Sequence, residues 1–234
     1  MDPRATVINY PLAMAYRGTG QRDKADALLQ TRGNTAPDLP DPLLQQADVV
    51  LESAVSYEGI GMQALRRQDW GGAVQAFRRG LEVAPDDPAL RYWMATAMIA
   101  SGDAPGAERE FREVVRRQPQ FANAHFSLGA ILDRRGDKAG AAGEYQAAVK
   151  AAPNMPEARL RLADTLRAQG QQASAVAQYE EAVKLDPTMA DAWIGGAQAL
   201  VAAGRTADAR TWIARARRIH PDRRELADLE ARVR

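Results

Sequence analysis

Between residues 54 and 221 the apolar positions repeat every 34 residues, and within each repeat they fall on two stripes with helical spacing. Residues 122–155 show the pattern. His125, Leu128, Gly129 and Leu132 recur at intervals of three and four, which puts them on one face of a helix from Ala122 to Arg135. Gly136-Asp137 interrupts that helix: glycine tolerates the left-handed conformation that closes a helix, and aspartate caps the one that follows. Ala141, Tyr145 and Ala148 form the inner face of a second helix, predicted to run to about Ala152. Pro153 ends it, because the ring removes a donor and disfavours helix in the residue before it.

The register is strict. Pro85, Pro119, Pro153, Pro187 and Pro221 are spaced by 34 residues without a slip, and they are five of only 13 prolines. Ala73, Ala107, Ala141, Ala175 and Ala209 keep the same spacing, as do Phe77, Phe111, Tyr145, Tyr179 and Ile213. Small residues at the alanine positions let two helices approach closely, and the ring beside them fills the remaining space. The first repeat lacks the turn glycine, having Gln68-Asp69, and Arg91 stands in the second where an aromatic is expected. The pattern predicts an all-α protein of antiparallel helix pairs stacked as a solenoid.

The ends depart from the period. Tyr16, Gly20, Ala25 and Leu29 reproduce the second half of a repeat, so residues 1–32 are expected to hold a degenerate or truncated unit. Residues 33–41, with Gly33, Pro37 and Pro40, have the composition of a linker. Asp41-Pro42 is a good helix start, a cap followed by a first-turn proline. Leu43, Leu44, Ala47, Val50 and Leu51 then carry an apolar stripe through 42–53 into the first regular repeat, which predicts one long helix over about 42–67. Five repeats fill 54–221, and 222–234 is expected to form a capping helix with Leu226, Leu229 and Val233 inward.

Composition narrows the chemistry. The chain has no cysteine, which excludes disulfides, thiolate metal sites and cysteine nucleophiles and fits either cytoplasm or periplasm. A formal net charge of +1 gives no global bias toward nucleic acid or an anionic membrane. No stretch has the roughly 18 apolar residues needed to span a bilayer, and Met1-Asp2-Pro3-Arg4 lacks the apolar core of a signal peptide. Basic residues are almost all arginine, Lys24, Lys138, Lys150 and Lys184 being the exceptions, which fits a GC-rich bacterial coding sequence.

His125 and His220, the two histidines, lie in different repeats without a second ligand at metal spacing, so no metal site is expected. His125 occupies a core helix position and reads as a satisfied, partly buried side chain. His220 sits at a helix end, where the dipole favours a cation. Arg17-Gly18-Thr19-Gly20-Gln21-Arg22 falls at a turn between helices, and Gly59-Ile60-Gly61 falls inside a helix with no strand before it, so neither is a phosphate or dinucleotide loop. Arginine pairs such as Arg78-Arg79 and Arg116-Arg117 are spread over both helices near their C-termini and read as solvated faces. The basic C-terminal thirty residues are the best place for an acidic partner. No cofactor, nucleic-acid or catalytic site is expected.

An aromatic, Leu-Gly, an aromatic, then Ala, an aromatic and Pro is the tetratricopeptide pattern, and five in-register copies resemble that family over about residues 54–223, Trp193 being the family's tryptophan. The resemblance implies a right-handed α-solenoid whose first helices line a concave groove. Carried onto this register, it places Glu58, Met62, Tyr92, Trp93, Thr96, Asn123, Phe126, Ala130, Asp133, Glu157, Leu160, Arg161, Asp164, Arg167, Ile194 and Gln198 on the groove. Tyr92, Phe126, Leu160 and Ile194 are equivalent and predict a continuous apolar stripe. Family members that grip a C-terminal carboxylate use Lys and Asn on this face; here Glu58, Met62, Tyr92, Thr96, Phe126 and Ala130 stand in their place, which argues against a receptor for chaperone tails.

The implied function is non-catalytic: a scaffold that binds a peptide or helix of another protein. Two alternatives are a self-assembling scaffold and a regulatory or substrate-presenting arm of a larger enzyme. The passage from a partial repeat through a Pro-rich linker into Asp41-Pro42-Leu43-Leu44 is also similar to the C-terminal arms of large exported bacterial proteins with c-type cytochrome domains. A fragment of such a protein would be periplasmic.

Overall fold

The structure, a computed structural model, describes residues 42–233, with side chains described from Ala54 onward. The expected N-terminal unit over 1–32 and the linker over 33–41 lie outside the described residues. Among the described residues there are eleven helices and no strand. They are α1 (Pro42–Arg66), α2 (Trp70–Val83), α3 (Pro88–Ala100), α4 (Ala104–Arg117), α5 (Ala122–Arg135), α6 (Lys138–Ala151), α7 (Pro156–Ala168), α8 (Gln172–Leu185), α9 (Ala190–Ala202), α10 (Thr206–Ile219) and α11 (Arg224–Arg232). Each helix packs on its chain neighbours, so α1/α2 through α9/α10 are five stacked pairs and α11 closes the stack against α9 and α10. The result is an all-α solenoid.

Turn chemistry sets the boundaries. Gly102, Gly136, Gly170 and Gly204 close the first helices of pairs two to five with φ between +71° and +92°. In the first pair Gln68 takes that place with φ +60°, the one non-glycine residue at positive φ among those described. An L side chain in this conformation costs roughly 1–2 kcal/mol, so Gln68→Gly is expected to stabilise the protein by about 1 kcal/mol, seen as a higher urea midpoint with an unchanged slope. The second helices of the first three pairs start from an aspartate whose carboxylate accepts a backbone N–H three residues on: Asp69 from Gly72 at 2.9 Å, Asp103 from Gly106 at 2.8 Å and Asp137 from Gly140 at 2.9 Å. Gln171 and Arg205 replace that aspartate in the last two pairs and make no side-chain cap.

The periodic alanines and rings are the core. Ala73, Ala107, Ala141, Ala175 and Ala209 are fully buried, and Phe77, Phe111, Tyr145, Tyr179 and Ile213 are nearly so. Two glycines make room for rings: a methyl at Gly61 would come within 2.5 Å of Phe77, and one at Gly129 within 2.8 Å of Tyr145. Close helix approach and ring filling are therefore one device.

One regularity has no hydrophobic signature. Arg91, His125, Arg159 and Trp193 share a repeat position, and each directs a side-chain nitrogen at the carbonyl of the proline six residues earlier. Arg91 Nη2 reaches Pro85 O at 3.0 Å, His125 Nε2 reaches Pro119 O at 3.1 Å, Arg159 Nη2 reaches Pro153 O at 2.9 Å and Trp193 Nε1 reaches Pro187 O at 2.8 Å. Three of the four also reach the second helix: Arg91 to Glu110, His125 to Glu144 and Arg159 to Gln178. What the position requires is an N–H donor that pins the inter-repeat turn, and an aromatic ring is one way to supply it. His125→Phe should lose about 1 kcal/mol, whereas His125→Arg should keep most of it, as read from chemical unfolding.

Candidate partner-binding surface

The first helices α1, α3, α5, α7 and α9 carry the residues assigned to a groove. Glu58, Asn123, Glu157 and Arg161 are exposed, while Met62, Tyr92, Trp93, Thr96, Phe126, Ala130, Asp133, Asp164, Arg167, Ile194 and Gln198 are half-buried. Leu160 is different: at 9% exposure it is buried and joins the core cluster that Tyr179 and Trp193 anchor. The apolar stripe is therefore interrupted at α7, where Arg161, Asp164 and Arg167 remain on the surface.

Tyr92 is the centre of an aromatic cluster rather than a free ring. Its centroid lies 5.1 Å from Trp93, 5.6 Å from Phe111 and 5.1 Å from Phe121, which ties α3 to α4 and to the start of α5. The Thr96 hydroxyl donates back to Tyr92 O at 2.9 Å. Phe126 leans on Tyr145 with centroids 5.7 Å apart. Between α3 and α5 these packings leave a pocket of about 140 Å³, lined by Tyr92, Thr96, Ile99, Phe111, Ser127, Ile131 and Arg134. Tyr92 and Thr96 are among the residues assigned to the groove, and Ile99 follows Thr96 by three residues on α3. Ser127, Ile131 and Arg134 come from the neighbouring stripe of α5, one residue on from Phe126, Ala130 and Asp133. Each first helix meets two neighbours, so the cleft between two of them draws on different flanks of each.

The polar part of the face has a mixed charge state. Lys138 neutralises Asp133 at 2.5 Å. The Tyr179 hydroxyl donates to Asp164 Oδ1 at 2.5 Å, and Arg167 Nε donates to the Tyr179 oxygen at 3.2 Å. Burial holds the Asp164 carboxyl above the usual aspartate range against the pull of Tyr179 and the two arginines. Burial first, and the Asp164 charge second, push the Tyr179 phenol well above its ordinary value. The Arg134 side chain makes no ion pair or hydrogen bond among the described residues, so the unspent charge beside the pocket is positive. No group of three or more His, Asp or Glu among the described residues is placed to hold a metal ion, and no described helix is long and apolar enough to cross a membrane.

Stacked helix pairs with a 34-residue period, alanine-and-ring packing and a closing helix define the class of helical-repeat solenoids. Within it, tetratricopeptide-repeat family models match residues 94–156 and 166–233, together more than half of the chain. The protein belongs to the tetratricopeptide-repeat family, whose arrays serve as protein-interaction scaffolds. Its fold is similar to a crystal structure of MamA (19% identity, 73% of this chain and 93% of that one, TM-score 0.65). It is also similar to YrrB, described as a TPR protein with an unusual peptide-binding site (18% identity, 82% and 98% covered, TM-score 0.66). A third is pilF of Pseudomonas aeruginosa (17% identity, 79% and 84% covered, TM-score 0.64). At these identities the likeness concerns the fold. A search of curated proteins finds no match.

Proposed function

We propose that the protein is a non-catalytic scaffold that holds a peptide or helical segment of another protein against the first-helix face. The observation that carries this is the apolar pocket between α3 and α5, open beside the unpaired Arg134. It suits one large apolar side chain of a partner, whose burial stabilises a complex by roughly 1.5–3 kcal/mol. Half-buried Phe126 and Met62 and exposed Glu58, Asn123 and Glu157 are assigned to the same first-helix face and would add apolar and polar contacts to a longer segment. A described peptide-binding site in the similar fold of YrrB agrees with this use.

The test is retention of partners from lysate of the source organism by wild type and by Ile99→Glu/Ile131→Glu, with circular dichroism to establish that the variant is folded. Both residues line the pocket and neither belongs to the buried core. A protein kept by wild type and lost by the folded variant supports the proposal. Equal recovery moves the contact to another face.

A second use, self-assembly, has its own observation. Ile60 is 50% exposed on α1, whereas Met94, Leu128 and Leu162 at the same repeat position are 6%, 1% and 4% exposed beneath the preceding pair. Val55 on the same helix is also exposed. Ile60→Glu abolishing a concentration-dependent mass in light scattering would favour that use, and a fixed monomer mass for wild type would remove it.

A further inference from the structure

The turn ends of pairs four and five carry a second cleft that no groove position touches. It is lined by Val183 and Pro187 at the end of α8, Trp193 of α9, and Arg215, Arg218 and Ile219 of α10, with a volume of about 270 Å³. Ile219 on its wall is 44% exposed, and Leu185 just after Val183 is 43% exposed. The same repeat position holds Val83, Arg117 and Ala151 in the first three pairs, so the large exposed apolar pair is confined to the last two. Scattered exposed leucines need no explanation, but Ile219 lines a cleft together with two arginines.

The arginines around it divide by what they touch. Arg217 pairs with Glu230 of α11. Arg215 lies over the Trp193 ring, its guanidinium carbon 5.4 Å from the centroid, and makes no ion pair among the described residues. Arg218 makes none either. Two acids of this region are engaged elsewhere: Glu181 with Lys184, and Asp186 with the backbone and hydroxyl of Thr188. The cleft thus joins an apolar wall to two cations without a carboxylate of their own.

We propose that this cleft is a second docking site, separate from the first-helix face, for an acidic amphipathic segment of a partner protein. A large apolar side chain of the segment enters against Ile219, Val183 and the Trp193 edge, while flanking Asp or Glu side chains pair with Arg215 and Arg218. Guanidinium groups suit carboxylates because two parallel N–H donors meet both oxygens. A neutral apolar segment would leave both cations unpaired, and a purely acidic one would leave the wall wet, so both features are required together.

The experiment is fluorescence anisotropy with a fluorescein-labelled peptide of repeated Glu-Glu-Phe-Glu units, using the full chain at low and high salt. The expected result is saturable binding that weakens with salt. Binding should fall tenfold or more in Arg218→Gln and in Ile219→Ser, two side chains exposed enough to change without unfolding. It should be unchanged in the Ile99→Glu/Ile131→Glu variant, so failure here and failure of the groove remain distinguishable. The matched peptide with Gln in place of Glu should bind at least tenfold more weakly. Absence of binding, equal binding of the Gln peptide, or undiminished binding by Arg218→Gln and Ile219→Ser would overturn the proposal.

Discussion

Tyr145→Ala is expected to cost about 3–5 kcal/mol and to remove the cooperative packing of the third pair. Tyr145 is 1% exposed, and its ring fills the space that Gly129 leaves on α5 while supporting Phe126. Truncation opens a cavity that the flanking alanines cannot close. Tyr145→Phe should lie within about 1 kcal/mol of wild type, because Phe77 and Phe111 occupy the same position in other pairs. Tyr179→Phe should cost more, about 1–3 kcal/mol, since it strips half-buried Asp164 of its hydroxyl donor. The phenol of Tyr145 also sets a pH dependence. Burial raises it from 10.0 to about 12, so the folded state holds the proton more tightly than the unfolded one. Its contribution is complete below pH 10 and is lost as pH rises toward 12. Urea midpoints measured over that window should fall less steeply for Tyr145→Phe than for wild type. Identical profiles would mean that the phenol is solvated.

Much of this architecture was legible in the sequence because periodic packing writes itself as periodic residue types. The prolines, the alanines and the ring positions each answer one steric demand repeated in every pair, and such a demand selects the same residue each time. The N–H donor position is the contrary case. Arg91, His125, Arg159 and Trp193 share no size, charge or hydropathy, only a donor that reaches a turn carbonyl, so hydrophobic patterning treats Arg91 as a departure. The candidate surface was legible as a stripe on single helices but not as a cleft. Ser127, Ile131 and Arg134 line the pocket because α5 turns a second flank toward α3, and no single-helix projection contains that. Leu160 shows the same limit: its cover comes from a cluster that joins Tyr179 of its own pair to Trp193 of the next, so equivalence with Tyr92 and Phe126 does not make it accessible. A charged substitution at Leu160 would therefore test stability and say nothing of binding.

Leu226→Asp is expected to release α11 and destabilise the last pair by on the order of 3–5 kcal/mol. In a linear array each pair is covered only by its neighbours, so a terminal pair needs a helix with one apolar and one polar face. α11 has that form. Leu226, Leu229 and Val233 are buried in one cluster with Leu200, Trp212 and Ile213. Arg217 pairs with Glu230, and Arg210 Nε donates to Val233 O, which fixes the helix at two points along α10. A carboxylate at Leu226 would have to be desolvated against apolar side chains, and undocking is the cheaper outcome. Once α11 leaves, Trp212 loses part of its apolar cover while its indole N–H still donates to Trp193 O at 2.7 Å. Tryptophan emission should shift to the red, and the newly bared face should promote association as concentration rises. Asp228→Ala, on the exposed side of the same helix, should leave both readouts unchanged. If Leu226→Asp kept the wild-type unfolding curve and emission, α11 would not be docked, and the closing of the array would have to come from another segment.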